Sequence, residues 1–220
     1  MATVPNEFRI KWPPKDTWTD ATREVQAFWG EPNSWEEGSK TNIINVMANH
    51  PPLGMVFSHW GKYFMTGHTL DTRRLEIVVL RVACLVNSPY EWHNHVGYAI
   101  NAGITMEEIA QIRDFPDCAH SFSEEEVAII SACGELIGAN NITDATWATL
   151  AKTLDQNQMM DLVFLIGHYV MTSWALSAFG VPIEGGADAI GFDLQTRSGR
   201  APGVTYRPGE NEDWIEKRGY

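Results

Sequence analysis

The chain has 220 residues, 44% of them hydrophobic and 11% aromatic, which is enough apolar material for one or two packed domains and excludes a disordered or collagen-like chain. Sixteen basic residues against 28 acidic ones leave a net charge of −12, so the average surface repels a phosphate backbone and nucleic-acid binding is disfavoured. Three cysteines, Cys84, Cys118 and Cys133, fit neither a disulfide framework nor a zinc module and point to a reducing, cytoplasmic setting.

The elements follow in chain order. The opening, Met1 to Pro14, mixes charges with three prolines and has no apolar run, so no export signal is expected. The first forty residues, rich in tryptophan (Trp12, Trp18, Trp29, Trp35), read as an extended but anchored segment. Thr41 to Asn49 is expected as a short helix stopped by Pro51 and Pro52, followed by a second over Leu53–Met65. Asp71 or Thr72 caps a helix from Arg73 to about Asn87 that is apolar nearly all round, which makes Glu76 and Arg81 its exceptions. Ser88-Pro89 starts the next, over Tyr90–Asn101, ended by Gly103. Capping boxes at Thr105/Glu108 and Ser123/Glu126 open helices over Met106–Arg113 and from Glu124 to about Gly138. A short helix over Ala145–Leu154 and a long apolar one capped by Asp155 and ending at Gly180-Val181-Pro182 complete the set. Leu162 to Phe179 is 18 residues without a formal charge, at the lower limit for a membrane span, but its polar members favour a buried helix and no membrane partner. From Glu184 the chain loses periodicity and is expected to lie as an extended tail over the surface or on a neighbouring subunit. The class expected is all-α, with an extension over 1–40, a helical domain over 41–183 and a tail over 184–220.

Chemistry concentrates in Ser88-Pro-Tyr-Glu-Trp-His-Asn-His95. At 100° per residue Ser88, Glu91, His95 and Tyr98 share one stripe, while His93 lies about 160° from His95. Glu91 and His95 can therefore meet, and His93 cannot join them. The two-residue gap between His93 and His95 also argues against a helical metal motif. A carboxylate that orients an imidazole suits general acid–base work. Glu76, in so apolar a helix, needs either a partner such as Arg73 or Arg81, or a function.

The spacing of Glu76, then Ser88 twelve residues later, Glu91 at plus three and His95 at plus four is similar to the Glu…Cys-x-x-Cys-x-x-x-His pattern of the alkyl hydroperoxidase D-like superfamily. Ser88 and Glu91 occupy the two cysteine positions, and thiol–disulfide exchange needs two sulfurs. The Tyr90-Glu-Trp-x-x-His95 form resembles the carboxymuconolactone decarboxylase branch instead, over roughly residues 40 to 182, including Phe122-Ser-Glu-Glu-Glu126, Gly167-His-Tyr169 and Phe179-Gly-Val-Pro182. The resemblance implies an alkyl hydroperoxidase D-like helical fold that uses no cofactor and forms homo-oligomers: dimers, trimers or hexamers. It implies a lyase of the decarboxylase kind acting on an aromatic-derived carboxylic acid or lactone.

In that reading His95 gives or takes the proton, Glu91 orients it, and Glu76 is a second acid–base group. Ser88 donates to an oxyanion, and Arg73, Arg74 and Arg81 receive a carboxylate. Trp92 is expected as a wall for an aromatic ligand, and Tyr98 and His168, the latter with its neighbour Tyr169, as further lining. The alternatives are another proton-coupled ring-opening or isomerising enzyme, a thiol-independent oxidoreductase, and a ligand-binding oligomer without turnover.

Overall fold

A computed structural model describes residues 8–116 and 119–186. The described residues are all-α, with no strand among them. The helices are α1 (Asp20–Ala27), α2 (Ser34–Glu37), α3 (Asn42–Met47), α4 (Pro51–Thr66), α5 (Thr72–Val86), α6 (Pro89–Asn101), α7 (Met106–Asp114), α8 (Glu124–Ala139), α9 (Asp144–Leu150) and α10 (Gln156–Phe179). They fall into two compact units, one drawn from the described residues of 8–68 and 174–186, the other from those of 69–173. Most of the expected tail and Cys118 lie outside the described residues.

The first unit holds α1 to α4. Sequence reading expected the first forty residues to be extended, yet α1 is a true helix with a reciprocal cap between Thr19 and Thr22. Its signal is Thr-x-x-Thr, where the box sought is Ser/Thr-x-x-Glu. Pro51 and Pro52 do not stop a helix. They fill the first two positions of α4, where no N–H is required, with the His50 side chain as cap. A Cβ on Gly54 would stand 2.8 Å from the Met47 carbonyl oxygen and 3.0 Å from Val25, so α4 approaches α3 and α1 as closely as a glycine allows. Behind α10, the Asn42 amide donates to the Pro182 carbonyl at 3.0 Å and its backbone N–H to Glu184 at 2.9 Å.

The second unit is built around α5. Asp71 caps it as expected, and Ile77, Val78, Val79, Leu80, Val82 and Ala83 are fully buried because α6, α7 and α8 each pack on it. That three-sided burial is why its sequence is apolar nearly all round, and each of the buried valine, leucine and isoleucine side chains stabilises the unit by about 1.5–3 kcal/mol. Capping boxes at Thr105/Glu108 and Ser123/Glu126 open α7 and α8 as their sequences predict. Asp155 and Gln158 do the same for α10. Helix α9 ends at Leu150, a turn earlier than expected.

Helix α10 is long and apolar enough to cross a membrane by composition. Its inner side carries Asp161, His168, Tyr169, Thr172 and Ser173, all buried. Asp161 accepts from both the backbone N–H and the hydroxyl of Thr69, at 2.6 and 2.7 Å. This is the pattern of a helix packed into protein on one side.

Candidate active site

Helix α5 brings Glu76 inward at 4% exposure, with its long neighbours Ile77 and Leu80 fully enclosed. Helix α6 follows after the left-handed Asn87, which turns the chain in one residue, and Pro89 fixes the first turn. The turn lays α6 against α5, and His95 Nδ1 lands 2.8 Å from Glu76 Oε2. On the same stripe of α6, one turn earlier, Glu91 Oε2 stands 3.5 Å from His95 Nε2. The imidazole is therefore held between two carboxylates. The close bond goes to Glu76, which does the orienting that the sequence assigned to Glu91; the 3.5 Å separation on the other side is long for a hydrogen bond.

Glu76, Glu91 and His95 are all buried. For His95 the largest single effect is burial, which disfavours the cation and pulls its pKa down. The charge of Glu76, the hydrogen bond to it and the charge of Glu91 together overcome this and hold the imidazole above its ordinary value of 6.5. Nδ1–H donates to Glu76, so Nε2 is the nitrogen left to exchange a proton.

Around this pair stand three rings. Tyr169 meets His95 edge-on, centroids 5.1 Å apart at 88°, and Tyr98 lies 5.5 Å from it at 58°. Tyr98 is half exposed, so it belongs to the rim. His168 is buried, and its pKa falls to about 4, first through desolvation and then through the charge of His95. Above that value it is a neutral imidazole, beside one whose cation its neighbours favour. Burial first, and then the charges of Glu91 and Glu76, push the Tyr169 phenol well above its usual 10, so it stays protonated.

The other expected residues fall elsewhere. Ser88 caps α6 by position only. Its hydroxyl makes no capping bond and is buried without a partner. Trp92 is fully enclosed in the core. The arginines expected to receive a carboxylate are engaged by the protein itself. Arg73 binds Glu108 at 2.5 Å and Glu126 at 2.6 Å, which ties α5 to α7 and α8. Arg74 pairs with Asp71 and with Glu125. Arg81 is buried, donates to the Ile112 carbonyl at 3.0 Å and lies 5.1 Å from the Phe115 ring. Their guanidinium forks answer acidic residues of the first turns of α7 and α8 and a carbonyl, which is why a carboxylate receiver is not found where the arginine count suggested one.

Tyr169 is the residue whose role the sequence left least defined, and a phenol inside the most apolar helix was its signal. Cys84 and Cys133 are buried, and burial pushes the Cys133 thiol up to about 12. Among the described residues no group of three His, Cys, Asp or Glu side chains is placed to hold a metal ion.

The model of the carboxymuconolactone decarboxylase family matches residues 54–132, the stretch that carries Glu76, Ser88, Glu91 and His95. This part of the chain is similar to the carboxymuconolactone decarboxylase family. Solved structures of the AhpD-like helical fold are similar to it. One, an alkylhydroperoxidase AhpD core described as an uncharacterized peroxidase-related protein from Ralstonia eutropha JMP134, is 12% identical, with a TM-score of 0.66 over 80% of this chain and 92% of its own. Another uncharacterized peroxidase-related protein, from Silicibacter sp. TM1040, is 14% identical, with a TM-score of 0.67 over 85% and 98%. A protein of unknown function from Agrobacterium tumefaciens is 15% identical, with a TM-score of 0.55 over 63% and 95%. At such identities the likeness is one of fold. No curated protein matches the chain.

Proposed function

We propose that this protein is a thiol-independent, cofactor-free acid–base enzyme of the lyase kind, with His95 as its proton carrier. The substrate class is an aromatic-derived carboxylic acid or lactone. The observation that supports the reading is the clasp of His95 between Glu76 at 2.8 Å and Glu91 at 3.5 Å, with all three buried. A buried imidazole held above 6.5 is a competent acid at neutral pH, and a carboxylate beside its outer nitrogen is the matching base.

In the decarboxylating form of the reaction, the carbon–carboxylate bond breaks and its electron pair enters the conjugated carbonyl. Carbon dioxide leaves, and the resulting dienolate takes the Nε2 proton at carbon. Solvent then returns a proton to His95, so the sum is a carboxylate plus a proton giving carbon dioxide and the protonated product. In the ring-opening or isomerising form, Glu91 removes a proton from carbon and His95 returns one elsewhere. With His95 protonated the three groups carry a net charge of −1, which favours a lactone or another uncharged carbonyl at the reacting end over a second carboxylate.

The test is a panel of aromatic-derived acids and their lactones, read by carbon dioxide release and ring absorbance. His95→Gln is expected to lose about 10²–10⁴ in rate on whichever compound turns over, with its helical content retained by circular dichroism. Full activity in His95→Gln would overturn the reading.

Assembly is the second part of the proposal. Met160, Phe164, Gly167 and Met171 form an exposed stripe along α10 at spacings of four, three and four, the period of a helix–helix seam. Beside it lies a cavity of about 440 Å³ lined by Trp147, Leu154, Met159, Met160, Val163 and Phe164. These features support a homo-oligomer. Light scattering is expected to find more than one chain for the native protein and a smaller species for Phe164→Glu.

A further inference from the structure

Two serine hydroxyls in the second unit lie buried and find no protein partner among the described residues, and a buried phenol stands close to one end of the site. Ser88 and Ser173 are each 1% exposed, and their Oγ atoms are unpaired. Tyr169 is 7% exposed. Buried hydroxyls are ordinarily satisfied, so such a group needs an explanation. Ser88 belongs to the helix that carries His95, and Tyr169 to the helix that meets its ring. Ser88 starts α6 seven residues before it, on the stripe that Glu91 and His95 share, and Tyr169 packs its ring edge-on against the imidazole at 5.1 Å. Ser173 follows Tyr169 by one turn of α10.

We propose that Tyr169 is a second catalytic residue, whose phenol, with the Ser88 hydroxyl, holds the carbonyl oxygen of the substrate while His95 exchanges a proton with its carbon. The inference rests on the reading of His95 as proton carrier and narrows the substrate to a conjugated or enolisable carbonyl compound. As the electron pair of the breaking bond moves onto that oxygen, the two hydroxyls meet the growing negative charge with hydrogen bonds prepared in advance. Tyr169 keeps its proton throughout. The oxyanion collapses when the Nε2 proton adds to carbon, and no oxidant or reductant is involved. Burial and the neighbouring carboxylates resist ionisation of the phenol, which leaves it a donor across the working pH range.

The experiment measures binding of 4-nitrophenol, whose oxygen mimics the enolate, to the full chain by calorimetry and absorbance. The native protein is expected to bind it, Tyr169→Phe to bind about tenfold or more weakly, and Ser88→Ala to show a smaller loss. A native protein that does not bind the phenol, or a Tyr169→Phe that binds as tightly as the native chain, overturns the proposal. Because binding needs no turnover, the two readings fail separately: an active His95→Gln removes the proton carrier and leaves the oxygen site standing. Should Tyr169→Phe not fold, a series of phenols of rising acidity on the native protein decides. Affinity rises with acidity at an oxyanion site, and a flat series overturns it.

Discussion

Glu76 and His95, nineteen residues apart on successive helices, share a 2.8 Å hydrogen bond in the interior of the second unit. The bond sets which imidazole nitrogen is turned away from Glu76, and it supplies most of what opposes the effect of burial on that ring. Glu76→Gln keeps the shape and removes the charge, so burial then outweighs Glu91 alone and the His95 pKa falls. Folding stability responds with a definite sign. A folded-state pKa above the unfolded 6.5 gives stability that is complete below about 6.5 and is lost as pH rises through the folded value. Glu76→Gln is expected to lose that decline. Imidazole NMR titration, with urea unfolding between pH 6 and 9, reads both effects; an unchanged His95 titration would remove Glu76 from its role.

His168 acts in the opposite direction. Its folded-state pKa, down at about 4, lies below the unfolded 6.5, so the unfolded chain takes up a proton first as the solution is acidified. The stability it contributes is present above pH 6.5 and is lost as pH falls toward 4, an effect of roughly 3 kcal/mol at full extent. His168→Gln is expected to flatten the acid limb between pH 6.5 and 4 while leaving the limb above 6.5 in place. Parallel unfolding curves for the two proteins across that range would contradict it.

Much of this site was legible in the sequence because helical geometry is local. Ser88, Glu91 and His95 share a stripe by arithmetic alone, and Glu76 stood out as a charge among apolar neighbours. What the sequence withheld is pairwise and long-range. The choice of Glu76 over Glu91 as the close partner depends on how α6 docks on α5, and the edge-on meeting of Tyr169 with His95 spans 74 positions. The arginines misled for the same reason. Arg73 and Arg74 looked available until Glu108, Glu125 and Glu126 folded against them. In the fold, caps written in the expected letters were read correctly, and α1, capped by Thr19 and Thr22, was missed.

Thiol chemistry makes a contrasting prediction. A thiolate is the reactive species, and the Cys133 thiol, pushed up to about 12 by burial, has almost none at neutral pH; Cys84 is also buried. Iodoacetamide at pH 8 is expected to leave both unmodified in the folded protein and to alkylate them in urea. Replacing all three cysteines is expected to leave turnover of any substrate found by the panel unchanged. Activity lost in that variant, with its thermal midpoint preserved, would return the chain to a thiol mechanism.

The first unit offers a test of packing that is independent of the site. Gly54 sits inside α4, where alanine would normally gain up to about 1 kcal/mol from helix propensity alone. Here the added methyl meets the Met47 carbonyl oxygen at 2.8 Å and Val25 at 3.0 Å, and the nearer of these is backbone, which cannot turn aside. Overpacking of this kind costs about 1–3 kcal/mol, so the clash outweighs the propensity. Gly54→Ala should therefore lower the unfolding midpoint, and Gly54→Val should lower it further. By contrast, Gly134→Ala in α8, where a Cβ meets nothing within 4 Å, should be neutral or stabilising. Equal midpoints for the Gly54 and Gly134 alanine variants would mean that α4 does not approach α3 as closely as the geometry requires.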